Sequence, residues 1–152
     1  MFLTIKNLLK QQGIDFREVH HEPTRTSADS ARARNEDLSI GGKVILLKVD
    51  ASFKLFVLSA VRRVDSAKIK KQFGVKKLRF ASPEELLELT GLAPGSVPPF
   101  GAPVTPFELY VDGSIAQNEQ IAFNAGSLTD SIIMKVEDYL RVASATVFDF
   151  SK

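Results

Sequence analysis

The stretch 41–49, Gly-Gly-Lys-Val-Ile-Leu-Leu-Lys-Val, is the most apolar part of the chain and decides its fold. Its unbroken aliphatic run, residues 44–47, predicts a strand that is buried on both faces of a sheet. The turn signal at residues 50–52 predicts an antiparallel hairpin with a second strand over 53–60. We therefore expect this hairpin to form the centre of the fold.

Other helices and strands are predicted on both sides of this hairpin. Apolar spacing and capping residues predict helices over 4–12, 28–36, 66–73, from Ser82 to Gly91, and over 136–143. Short strands are predicted over 16–19, 78–80, 107–111, 120–124, 131–134 and 145–149. Residues 91–106 hold five of the seven prolines and predict a stiff, irregular loop. The prediction is one α/β domain over residues 1–152, with a mixed or antiparallel, partly barrel-like sheet flanked by helices.

Composition excludes several classes of protein. With 44% hydrophobic and 25% charged residues, the 152-residue chain is typical of a globular domain. The absence of cysteine excludes disulfides, thiolate nucleophiles and Cys-based zinc sites. No apolar run approaches the roughly 18 residues that cross a bilayer, and the N-terminal stretch is typical of an amphipathic helix rather than a secretory signal. We expect a soluble, cytoplasmic protein without a membrane partner.

Few residues suit the familiar catalytic chemistries. His20 and His21 are the only imidazoles, and in a strand they point to opposite faces, so we expect surface or structural roles. The sequence has no G-x-S-x-G elbow, Walker loop or G-x-G-x-x-G. We therefore expect neither a metal nor a cofactor.

Two motifs carry possible chemistry. Lys43 follows two glycines and opens the apolar strand, where its ammonium could hold an anionic or carbonyl oxygen. The alternative is that Lys43 is simply a solvent-exposed lysine that follows a turn. In the second motif a strand runs into Ala125-Gly126, where backbone N–H groups could form an oxyanion hole. The alternative there is an ordinary hairpin turn.

Positive charge is concentrated in one segment, although the whole chain carries only +2. Residues 62–79 contain eight Lys or Arg and one acid, which favours a polyanionic partner. A solvated helix face is the alternative.

The order of motifs resembles the YbaK/prolyl-tRNA synthetase-associated domain family of aminoacyl-tRNA editing deacylases. The resemblance covers roughly residues 13–142. It rests on six short stretches in a fixed order: Thr26 to Ala31, residues 41–48, Arg62 to Asp65, residues 76–86, Gly95 to Gly101, and Phe123 to Gly126.

What the resemblance implies is hydrolysis of the amino acid ester at the 3′ end of a mischarged tRNA, without metal or covalent nucleophile. Water or a ribose hydroxyl of the substrate attacks the ester. Lys43, Ala125 and Gly126 match the family's active positions, with the amides at 125–126 stabilising the oxyanion. The implied substrate-binding residues are Gly95, Pro98, Pro99, Phe100, Gly101, Thr26, Asn124, Ser127 and Thr129. The implied tRNA-binding residues are Arg62, Arg63, Lys70, Lys71, Lys76 and Lys77.

The implied substrate is a tRNA, with tRNA-Pro first, that carries a small non-cognate amino acid. Alanine-editing relatives often have a histidine just after the Ala-Gly turn, where this chain has Ser127, Leu128 and Thr129. We expect alanine ahead of cysteine or serine. A synthetase is a possible second partner, and DNA is not expected. The alternative function is a catalytically silent adaptor of the same fold that binds tRNA or a synthetase.

Overall fold

A computed structural model describes all 152 residues as helices packed around two β-sheets. The helices are α1 Phe2–Gln11, α2 Ser27–Arg34, α3 Ser66–Phe73, α4 Pro83–Thr90, α5 Gly113–Ala116 and α6 Val136–Ala143. The strands are β1 Phe16–His20, β2 Gly42–Val49, β3 Ser52–Ser59, β4 Leu78–Phe80, β5 Leu109–Val111, β6 Gln120–Asn124, β7 Asp130–Lys135 and β8 Thr146–Val147.

The predicted hairpin lies at the centre of the larger sheet. Strands β2 and β3 pair antiparallel from Gly42–Ser59 to Val49–Ser52. The sheet runs in the order β4-β2-β3-β5-β8 and is mixed, since β5 lies parallel to both β3 and β8. Leu46 and Leu47 are both buried, so this part of β2 is covered on two faces as predicted.

The remaining strands form a second sheet in the order β1-β7-β6, antiparallel throughout. The two sheets are joined by a single parallel bridge between Gly41 and Ala122. The predicted α/β class with mixed sheets and flanking helices is confirmed. The partly barrel-like closure is not confirmed, because the strands divide into two sheets that share only this bridge.

Two apolar clusters lie on the two faces of the larger sheet. The larger cluster of 19 buried residues lies between the sheets and includes side chains of α1 and α6, such as Leu9 and Tyr139. The smaller cluster covers the other face and packs α3 against the sheet through Ile69. Aromatic rings extend it, with Phe56 stacked on Tyr110 at 5.4 Å between ring centroids.

Capping residues set most helix ends where the sequence predicts them. Ser82 and Glu85 form the reciprocal capping box at the start of α4, and Gly74 ends α3 with a positive φ of 64°. For α2, Thr26 rather than Ser27 is the cap, accepting from the Asp29 N–H. Two short elements were not predicted, namely α5 and a 3-10 helix over Leu38–Ile40. None of the helices has the length and apolar character that a membrane span requires.

The first half of β2 is an open edge of the sheet. Strand β4 pairs only with Leu47–Val49, after which the Ala81 N–H donates to the Leu46 carbonyl. Beyond that point no strand covers the outer edge of β2. This gap in the sheet forms one wall of the cavity described next.

Candidate functional site

A cavity of about 340 Å³ lies along the open edge of β2. Its walls come from β2, the start of α2 with the loop before it, the β4–α4 connection, and the loop at Gly95. Three cationic side chains, Arg25, Arg34 and Lys43, line it, and no carboxylate or imidazole does. Its lining also includes Thr26, Ser30, Gly41, Gly95 and Asn124. The cavity is therefore electropositive, and its walls mix apolar and hydroxyl-bearing groups.

Lys43 is half-buried at the entrance of β2. Its ammonium donates to the Arg62 carbonyl, and the residue lines the cavity. Burial lowers the pKa of Lys43, and the nearby charge of Arg63 lowers it further. The side chain is thus a positioned donor rather than a freely solvated lysine.

Arg34, the last residue of α2, is the most buried cation of the cavity and was not among the predicted site residues. Only 6% of it is exposed. Its Nε donates to Ser131 Oγ at 2.9 Å and its Nη2 to Asn124 Oδ1 at 3.0 Å. Burial lowers the pKa of Arg34 to about 10, so the guanidinium stays charged at neutral pH without a carboxylate partner.

The sequence does contain a signal for Arg34. The buried face of α2 consists of Ser30, Ala31 and Arg34. A helix that buries small residues and one arginine places that charge against the protein interior, where it must meet hydrogen-bond acceptors.

Asn124 connects this arginine to the loop at Gly95. Its Oδ1 accepts from Arg34, and its Nδ2 donates to the Gly95 carbonyl at 2.8 Å. Thr26, which also lines the cavity, uses its hydroxyl oxygen to cap α2. The structure thus brings four predicted residues to one cavity: Lys43, Thr26, Gly95 and Asn124.

The predicted oxyanion amides lie elsewhere. The Ala125 N–H donates to the Asp130 carbonyl at 3.0 Å, and the residue is fully buried. Gly126 has a φ of 82° and lies so close to the N-terminus that a Cβ there would be 2.1 Å from Met1 Cγ. Neither residue lines the cavity. The Ala125 amide is therefore engaged within the loop between β6 and β7, and the oxyanion role of residues 125–126 stays a prediction.

Ser127 and Thr129 complete that turn instead of lining the cavity. Their hydroxyl groups lie 2.9 Å apart, and the Thr129 N–H donates to Ser127 Oγ. Both side chains are therefore engaged within the turn.

The second half of the predicted loop packs in the core. Pro98, Pro99, Phe100 and Gly101 are all buried and none of them lines the cavity. Phe100 meets Tyr139 edge to face at 5.5 Å, and the Tyr139 hydroxyl donates to the Pro99 carbonyl at 2.7 Å. The loop reaches the cavity at Gly95 and then turns inward.

The histidines lie outside the cavity. His20 contacts Asp130 and the ring of Phe2, and His21 Nε2 lies 2.8 Å from Ser131 Oγ. His21 therefore borders the cluster around Arg34 without reaching the cavity.

The predicted tRNA-binding residues separate into two groups. Arg62 and Arg63 are exposed beside Lys43. A shallow basic groove lies at the turn between β2 and β3, and its charged lining residues are Lys48, Lys70, Lys76, Lys77, Arg79 and one acid, Asp50. Lys71 is exposed on α3 outside that groove. Apart from Arg79, which pairs with Glu85, none of these side chains forms an ion pair.

The fold and the cavity define a class of ligand. An electropositive cavity beside an exposed basic surface suits a polyanion whose reactive end enters the cavity. A positioned ammonium along an open strand edge suits an acyl group whose carbonyl oxygen gains negative charge.

Comparison with known proteins identifies the family. The profile of the aminoacyl-tRNA editing domain matches residues 21–142. The chain therefore belongs to the aminoacyl-tRNA editing domain family, as its motifs predicted.

Individual relatives agree with this assignment. The multifunctional Ser/Thr-tRNA deacylase ProXp-y of Escherichia coli (strain K12) is 34% identical over 150 residues, which cover 95% of this chain and 89% of the relative. A proline–tRNA ligase of Shouchella clausii (strain KSM-K16) is 33% identical over 66% of this chain but only 18% of the ligase. The crystal structure of a candidate trans-editing enzyme for prolyl-tRNA synthetase superposes with a TM-score of 0.85 at 27% identity, covering 99% of this chain and 96% of that one.

Proposed function

We propose that this protein is a deacylase that hydrolyses the ester between a mischarged tRNA and its amino acid, acting in trans. Membership of the editing family and the similarity to a named deacylase support the reaction class. The observation that carries the proposal for the site is the cavity at the open edge of β2, with Lys43 fixed on its wall.

The reaction does not require a covalent nucleophile from the protein, because an aminoacyl ester is already activated. A water molecule attacks the acyl carbon, with or without a ribose hydroxyl of the substrate relaying its proton, and the bond to the ribose oxygen breaks. That oxygen takes a proton, and the amino acid is released from the tRNA. The enzyme needs to position the ester and stabilise the charge on the carbonyl oxygen.

Two groups at the cavity can stabilise this charge. The Lys43 ammonium is one. The edge of β2 supplies the other, which is a backbone N–H group. The Leu46 carbonyl points outward to Ala81, and along a strand the backbone groups of every second residue point to the same side. By that alternation the Val44 N–H also points outward at the cavity wall. One such donor is worth about 3–4 kcal/mol to a developing oxyanion, or roughly 10²–10³ in rate.

Serine and threonine are the amino acids that the proposal favours. The sequence favours alanine, but the relative that matches nearly the whole chain is named a Ser/Thr-tRNA deacylase. The Thr26 hydroxyl, which accepts from the Asp29 N–H, keeps its own hydrogen to donate to a small polar side chain in the cavity. Lys43 is proposed to act on the ester, and the exposed cations Arg62 and Arg63 to meet the tRNA backbone.

The finer points of partner and location belong to the same proposal. A synthetase partner is proposed from the similarity to one part of proline–tRNA ligases, and a cytoplasmic location from the presence of aminoacyl-tRNA there. Copurification with a prolyl-tRNA synthetase tests the first.

A panel of mischarged tRNAs tests the function. One tRNA body, charged separately with serine, threonine, alanine and proline, is incubated with wild type, Lys43→Ala and the exposed control Lys10→Ala. We expect faster loss of seryl and threonyl esters than in buffer, a 10²–10³-fold decrease in Lys43→Ala, and no change in Lys10→Ala. Unchanged ester lifetimes together with retained tRNA binding would instead identify the adaptor.

A further inference from the structure

The guanidinium of Arg34 is not fully used by the protein. Nε and Nη2 donate to Ser131 and Asn124, while Nη1 has no protein acceptor. No buried side-chain nitrogen or oxygen of the chain lacks a hydrogen-bond partner, so Nη1 is not sealed off from solvent. Only 6% of Arg34 is exposed, and the residue lines the cavity, so we take the cavity as the space that Nη1 faces.

The hydrogen bonds of Nε and Nη2 orient the guanidinium plane and therefore the direction of Nη1. Nη1 lies 3.8 Å from the place that a Cβ on Gly41 would occupy, next to the start of β2. The other two guanidinium nitrogens hold side chains of β6 and β7. The free donor therefore has little freedom to rotate away, and it presents a charge-assisted hydrogen bond to whatever enters the cavity.

We propose that Arg34 Nη1 recognises the side-chain hydroxyl of the amino acid on the tRNA, and so selects seryl and threonyl esters over alanyl esters. This inference rests on the proposed function and names its specificity residue. When the substrate displaces water from the cavity, Nη1 loses a hydrogen bond to water. The oxygen of a side-chain hydroxyl accepts from Nη1 and replaces that hydrogen bond. A methyl group in the same place leaves a charged donor unpaired, which is the larger part of the discrimination.

The charges in the cavity favour this partner over the other groups of the substrate. The α-ammonium of the ester is repelled by three cations and has no carboxylate to bind. The ester carbonyl is the group that Lys43 and the strand edge can reach. Within the aminoacyl group, the side-chain hydroxyl is thus the acceptor that remains for Arg34.

The test compares two esters that differ by one oxygen. Seryl and alanyl esters of the same tRNA compete for wild type, Arg34→Gln and Arg32→Gln, and the ratio of kcat/KM values is measured. Arg32 lies on the same helix, is exposed and pairs with Asp29, so it is the matched control. Because both esters meet the same enzyme sample, the ratio does not depend on the fraction that is folded.

We expect wild type and Arg32→Gln to prefer the seryl ester by at least about 10-fold, the value of one hydrogen bond to a charged group. In Arg34→Gln the preference is expected to fall toward unity, mainly through a slower seryl reaction. A decrease of both rates with an unchanged ratio would assign Arg34 to the fold or the oxyanion and overturn the inference. A wild type that hydrolyses both esters equally would overturn it as well, yet leave the deacylase function intact. Hydrolysis of neither ester would remove the function itself.

Discussion

Replacing Gly101 with alanine separates a structural role for this residue from the substrate contact that its motif implies. A Cβ on Gly101 would lie 2.5 Å from the Phe107 carbonyl oxygen and 3.1 Å from Leu109 Cβ. That carbonyl is backbone and accepts from the Ala102 N–H at 3.0 Å, so it cannot simply rotate away. The loop must shift to make room for the methyl group.

The cost follows from this geometry. Forcing a methyl into a packed site costs about 1–3 kcal/mol, and weakening the Ala102 hydrogen bond adds about 1 kcal/mol. We therefore expect Gly101→Ala to lose about 3 kcal/mol of unfolding free energy, or roughly 6–12 °C in Tm for a chain of this length. Far-UV circular dichroism during heating, together with urea unfolding, measures both quantities.

Gly113→Ala is the matched control for Gly101→Ala. A Cβ there would lie 2.4 Å from Asp149 Oδ1, which is nominally a closer contact. That oxygen ends an exposed side chain that can rotate, and alanine is a better helix former than glycine at the start of α5. We expect a Tm close to that of wild type. If Gly101→Ala instead melts like wild type but no longer hydrolyses ester, the residue contacts substrate and the packing argument fails.

Three further changes test charged groups of the basic groove, the cavity and the core. Charge reversal of Lys70, Lys76 and Lys77, three of the four lysines that line the basic groove, should weaken tRNA binding and reduce its salt dependence. Lys135→Glu on the exposed surface should not, and equal affinities would leave the groove merely solvated. Arg63→Gln removes one cause of the lowered pKa of Lys43, so the alkaline limb of kcat/KM should move to higher pH, and an unmoved limb would contradict the coupling. Burial raises the pKa of Asp112, but hydrogen bonds led by that from Ser114 outweigh it and hold the pKa below its ordinary value. Asp112 therefore stabilises the fold above about pH 4, and this contribution is lost as pH falls through its folded pKa. The difference in unfolding free energy between wild type and Asp112→Asn should shrink from pH 7 to pH 3. A difference that stays constant would refute this role of Asp112.

Local signals in the sequence predict most of the secondary structure. The hairpin of β2 and β3 follows from an aliphatic run and a turn, and the start of α4 from Ser82 and Glu85. These features depend on neighbours within a few residues. The division of the strands into two sheets does not, because it depends on which strand edges meet in space.

Only part of the candidate site can be predicted from the sequence, because the site too depends on contacts between distant segments. Lys43 is marked by its place before an apolar strand, but the hydrogen bond from Arg34 to Asn124 joins residues 90 positions apart. The Ala125-Gly126 motif is equally compatible with an anion site and a hairpin turn, and its packing against Met1 involves the other end of the chain. Motifs predict which segments matter, whereas packing decides which side chains meet.

Locating a bound substrate analogue tests the central claim most directly. A 3′-seryl-amido adenosine, whose amide replaces the labile ester, is titrated into the ¹⁵N-labelled protein while backbone amide shifts are followed. We predict that the largest changes fall on residues 42–46 and on Asn124, which line the cavity, and that Lys43→Ala weakens the titration. Changes centred on the turn at Ala125 and Gly126, with the edge of β2 unaffected, would contradict the account.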